Sequence, residues 1–75
     1  MPKKTPDLSF MLDKLPAIVS RDSIEALTGG LLTRSYMEKL DADGKGPKRF
    51  KSGRKIAYPS VELVAWIENR SQEML

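Results

Sequence analysis

Residues 45–58, KGPKRFKSGRKIAY, read as a β-hairpin placed between helical segments, and in a chain of 75 residues that one element settles the fold class. Phe50, Ile56 and Tyr58 supply an apolar side and Ser52-Gly53 a turn, with strands expected over 48–51 and 54–58. A domain this short buries only about 60% of its unfolded surface, so it has room for one core. A hairpin sharing that core with helices makes the expected class α+β.

The rest of the chain is helical in pattern. Leu8, Met11, Leu12 and Leu15 have helical spacing, compatible with a short amphipathic helix within 7–15 that Pro16 ends. Ala17-Ile18-Val19 reads as a short extended piece. Ser20 is an N-cap for a helix over about 21–28, which Gly29-Gly30 stops. Thr33 is the N-cap of a second helix over about 34–42, with Met37 and Leu40 facing inward. Pro59 fits the first position of a last helix running to about residue 70, on which Leu63, Trp66, Ile67 and Arg70 share a face. Helix, helix, hairpin, helix is the order of a small helix-turn-helix with a wing. Residues 1–14 are expected to form a flexible or partly helical extension, with 1–6 disordered, 15–70 the domain and 71–75 a tail. The expected core is Ile18, Ile24, Leu27, Leu31, Met37, Leu40, Phe50, Ile56, Tyr58, Leu63, Trp66 and Ile67.

Charge singles out the same hairpin. Residues 45–58 hold six of the thirteen basic residues and no acid, while the segments before and after balance to −1 and −2. Charge can protect an edge strand or aid solubility, but a solvated face usually mixes signs. A +6 block in an otherwise slightly acidic chain points to a polyanion, nucleic acid first. Lys48, Arg49, Lys51, Arg54 and Lys55 are the candidate phosphate contacts on the hairpin. Thr33, Arg34, Ser35, Tyr36 and Lys39 open the second helix, where a helix-turn-helix meets base edges. The bland reading of that helix start is a capped, solvated turn.

Other chemistries are disfavoured. Cys and His are both absent, which removes thiolate and imidazole metal ligation, nucleophilic cysteine and histidine acid–base catalysis. Asp41 and Asp43 lack a third ligand at suitable spacing and read as turn residues. Gly44-Lys45-Gly46-Pro47-Lys48 lacks the spacing of a phosphate-binding loop. No catalytic residue, metal or cofactor is expected. The longest apolar run, Leu63 to Ile67, is far short of a membrane span, and a soluble cytoplasmic protein is the expectation. Trp66 could stack on a base, but its phase with Leu63 and Ile67 assigns it to the core. Leu8, Phe10, Met11 and Leu12 fit either packing over the core or a contact between protomers.

The chain resembles the excisionase/AlpA-type branch of winged helix-turn-helix DNA-binding proteins, relatives of the MerR DNA-binding domain. The resemblance covers about 15–70 and is most specific in GKGPKRFKSGRKIAYPSVELVAWIENR, residues 44–70. There a Gly-Pro turn precedes the first wing strand, a Gly-Arg-basic-aliphatic run makes the second, and a Leu-x-x-Trp-aliphatic pattern (Leu63, Trp66, Ile67) marks the last helix. Leu27-Thr28-Gly29-Gly30-Leu31-Leu32 followed by Thr33-Arg34-Ser35 is similar to the family's helix, turn and recognition-helix start. The turn is one or two residues longer than the usual one. The resemblance implies sequence-specific binding of double-stranded DNA, by a small transcriptional regulator or an accessory factor in excision of a mobile element. A second copy of the chain and an integrase are the further partners it implies. The alternative is a protein-interaction module or RNA-binding accessory protein using the basic hairpin, although Phe50 is the hairpin's one stacking candidate for single strands.

Overall fold

The computed structural model describes residues 5–71. Residues 1–4 of the expected disordered lead-in and 72–75 of the expected tail lie outside the described residues. Among the described residues, three α-helices pack with a three-stranded antiparallel sheet, giving an α+β fold. A 3-10 helix (Ser9–Asp13) leads to β1 (Ile18–Ser20). A second one (Arg21–Ser23) runs into α1 (Ile24–Leu27), followed by α2 (Arg34–Ala42), β2 (Phe50–Ser52), β3 (Lys55–Pro59) and α3 (Ser60–Arg70).

The helices start where side chains satisfy the free N–H groups of a first turn. Ser20 Oγ accepts from the Ser23 N–H at 3.2 Å, and Thr33 Oγ1 accepts from the Tyr36 N–H at 3.2 Å. Helix α1 ends in a Schellman pattern: Gly30 N–H donates to the Glu25 carbonyl (2.8 Å) and Gly29 N–H to that of Ala26 (3.4 Å). Both glycines have positive φ, +63° and +85°, which side chains other than glycine adopt at a penalty. Thr28 Oγ1 closes the turn, donating to the Ile24 carbonyl at 2.6 Å and accepting from the Leu32 N–H at 3.2 Å. The lengthened turn is thus an ordered one. It delivers Leu32 to the core and leaves Leu31 63% exposed, so the expected placement of Leu31 is corrected by one residue.

The extended piece before Ser20 is a strand of the sheet. The order is β1-β3-β2, with Val19 opposite Tyr58 and Ile18 opposite Pro59. Period-two alternation then buries Val19 and turns Ile18 outward, 52% exposed, contrary to its expected core position. Phe50 is corrected for the same reason. The hairpin loop is Gly53-Arg54, with Ser52 opposite Lys55, which sets Phe50 opposite Ala57. Ile56 and Tyr58 stand on the other face, so Phe50 is 40% exposed and does not share their apolar side. Pro59 is the last residue of β3 and the N-cap of α3, one position earlier than expected.

The core joins Val19, Ile24, Leu32, Met37, Tyr58, Leu63 and Ile67, with Leu27, Leu40, Ile56 and Trp66 partly buried around it. Trp66, expected within the core, sits at its margin, and its Nε1 donates to the Lys45 carbonyl at 3.0 Å. The segment before residue 15 packs on this core through Leu8 and Met11, as does Leu15. The Leu8 N–H donates to Glu68 Oε2 on α3 at 2.6 Å. Phe10 and Leu12 remain exposed.

Candidate nucleic-acid interface

The first turn of α2 and the tip of the β2–β3 hairpin lie side by side, linked through Asp22. Arg34 Nη1 is 3.2 Å from Asp22 Oδ1, and Lys55 Nζ is 2.7 Å from Asp22 Oδ2. Arg34 also pairs with Glu38 one turn on, at 3.1 Å. The Lys55 ammonium, hydrogen-bonded to Asp22 and seconded by Arg34, holds the Asp22 carboxyl below its ordinary range. A cleft of about 320 Å³ opens here, lined by Arg21, Asp22, Arg34, Arg54, Lys55 and Ile56. Four cations thus share one cleft with one carboxylate, and the site faces solvent: Arg34 and Lys55 side chains are 64% and 72% exposed. Three sequence-predicted residues from two separate elements meet at this cleft, joined by Arg21 and Asp22.

The register divides the remaining hairpin cations. Lys51 stands opposite Ile56, on the face away from Lys55, Ala57 and Phe50. Lys48 and Lys51 are exposed, as are Ser35 and Lys39 on α2, and none of the three lysines is ion-paired to a described residue. Thr33 serves as the cap of α2. Tyr36 turns toward α3, where the Arg70 guanidinium donates to its hydroxyl and lies 4.5 Å from the Trp66 ring centroid and 5.3 Å from that of Tyr36.

Arg49 leans on the end of α2 while its side chain stays 38% exposed. Its Nη2 donates to the Asp41 carbonyl at 3.3 Å and its Nη1 is 3.7 Å from Asp41 Oδ1. Asp41, expected to be a turn residue, is instead a buried carboxylate. Its Oδ2 accepts from Arg21 Nη2 at 2.5 Å and from the Tyr58 hydroxyl at 2.6 Å, and Arg21 Nε donates to Tyr58 Oη at 3.2 Å. Burial, aided by the proton donated to Asp41, pushes the Tyr58 phenol up to about 12. The backbone of residue 46 passes so close that an added Cβ would meet Asp41 Oδ1 at 1.9 Å, so a side chain there would displace the Asp41 carboxylate. This network ties α2, the strand carrying Lys55 and the turn before α1 together, and reaches the cleft through Arg21. Asp41 was legible in principle, four residues after Met37 and so on the same inward face. Arg21 and Asp22 carried only the weak signal of a charged pair following an N-cap.

No protein-family model, curated protein or solved structure matches the chain. Among the described residues, no helix is long and apolar enough to cross a membrane.

Proposed function

We propose that this protein is a winged helix-turn-helix binder of specific duplex DNA sequences, acting as a small transcriptional regulator or as an accessory factor in excision of a mobile element. In this reading α2 enters the major groove by its first turn, the β2–β3 hairpin is the wing on the backbone, and an integrase is a partner in the second role. One observation carries it: Arg34 on α2 and Arg54 and Lys55 on the hairpin border a single solvent-facing cleft, though they lie some twenty residues apart. A helix start and a cationic ribbon presented together match a groove with a phosphate ridge beside it. Arg34 and Ser35 are the candidates for base edges; Lys48, Lys51, Arg54 and Lys55 are the candidates for phosphates.

The test is duplex affinity measured against salt, with a pool of random sequences from which preferred sites are selected. Four phosphate contacts imply a log–log slope of roughly −3.6, at about −0.9 each. A slope shallower than about −1 would point to an acidic protein partner. A selection without enrichment, with RNA bound equally well, would end the reading of sequence-specific duplex binding.

A further inference from the structure

We infer that the space now held by the Asp22 carboxylate, between Arg34 and Lys55, is the seat of one backbone phosphodiester, and that Asp22 occupies it as an internal competitor in the free protein. The inference rests on the duplex-binding reading above and adds the position of one contact and its control. A carboxylate and a phosphodiester both present anionic oxygens that accept charge-assisted hydrogen bonds from guanidinium and ammonium groups. Asp22 already draws two such groups from separate elements onto its two oxygens, at 3.2 and 2.7 Å. The cleft around it, about 320 Å³ and rimmed by Arg21 and Arg54, is open enough for a larger anion to enter as the carboxylate leaves.

Asp22 is partly solvent-exposed and held by no backbone group, so it can swing out to water as the phosphate enters. Arg21 is differently placed. Its charge is already matched by buried Asp41, so it borders the seat without supplying it. Glu38 also pairs with Arg34 but does not reach Lys55, which makes it an internal control of nearly equal charge.

The experiment is fluorescence anisotropy of a labelled duplex with wild type, Asp22→Asn, Glu38→Gln, Lys55→Ala and the Asp22→Asn/Lys55→Ala pair. Exposed ion pairs that no longer have to be broken, worth about 1 kcal/mol together, correspond to about fivefold in affinity. Asp22→Asn should therefore tighten binding about fivefold at low salt, alike on preferred and random duplex, and steepen the salt slope by about 0.9. Glu38→Gln should tighten it less. In the Lys55→Ala background most of the gain from Asp22→Asn should vanish, because one wall of the seat is gone. Wild-type binding with no gain in Asp22→Asn, or an equal gain in Glu38→Gln, overturns the seat while duplex binding stands. Absence of duplex binding in both wild type and Asp22→Asn overturns the duplex reading and the seat with it.

Discussion

Asp41→Ala is the perturbation whose effect can be worked most fully from the geometry. The carboxylate is the common acceptor for Arg21 and Tyr58, both on its Oδ2, and its side chain keeps only 4% of its exposure. Removing one partner of a fully enclosed ion pair destabilises by about 3–5 kcal/mol. The Arg21 side chain retains 17% exposure, so part of its stranded charge is hydrated and the loss falls to about 2–3 kcal/mol. The Tyr58 hydroxyl, wholly buried, loses its acceptor and adds about 1 kcal/mol. The half-exposed Arg49 contact adds a few tenths at most. The total, about 3–4 kcal/mol, is a large share of what a domain of this size has, near the low end of 5–15 kcal/mol. Asp41→Asn keeps an oxygen acceptor for Tyr58 and should lose about half as much. Because Tyr58 and Asp41 share one hydrogen bond, Asp41→Ala/Tyr58→Phe should be less damaging than the sum of its single changes by about 1 kcal/mol. The assay is urea unfolding followed by Trp66 fluorescence, read as a change in midpoint at constant m-value. If Asp41→Ala unfolds within about 0.5 kcal/mol of the parent, the buried network does not hold the α2 end against the sheet and the accounting above is wrong.

Trp66→Ala should lower stability by about 2–3 kcal/mol, below the 3–5 of a fully enclosed aromatic, because the ring lies at the core margin; a larger loss in a thermal melt would place it inside. Alkaline titration tests Tyr58. Its folded pKa, about 12, lies above the ordinary 10, so the stability it confers is complete below pH 10 and is lost as pH rises toward 12. Melting temperature should fall across that window in wild type and fall less in Tyr58→Phe; parallel curves would count against the assignment. On DNA, Arg34→Ala should lower affinity for the best site by about 1–3 kcal/mol and relax preference, whereas Lys55→Ala should weaken preferred and random duplex nearly alike. Equal losses on both duplexes for Arg34→Ala would confine Arg34 to the phosphate seat and remove it from base recognition.

Local chemistry made several elements readable from the chain alone. Ser20 and Thr33 are N-caps because a hydroxyl three residues ahead of a free N–H can reach it whatever the rest of the fold does. Gly29-Gly30 ends α1, and the basic run is confined to the hairpin and its approach, for equally local reasons. Side-chain direction within short strands was another matter. Ile18 and Val19 are both apolar and adjacent, and only the pairing of β1 with β3 decides that Val19 faces inward. Phe50 is apolar like Ile56 and Tyr58, yet it does not share their face. A two-residue loop at Gly53-Arg54 sets the register, and a shift of one residue exchanges the faces of a strand.

The candidate site divides along the same line. Its hairpin cations were visible as a charge run, and Arg34 as the residue after a cap. That Arg34, Arg54 and Lys55 share one cleft, that Asp22 sits among them, and that Arg49 is held by Asp41 depend on residues far apart in sequence. The sequence alone determined the elements and where the charge lies, since caps, turns and charge runs act over a few residues. Tertiary structure alone decided which charges are free to meet a partner, because an ion pair forms wherever folding brings opposite charges within a few ångströms, and no short-range pattern encodes that distance.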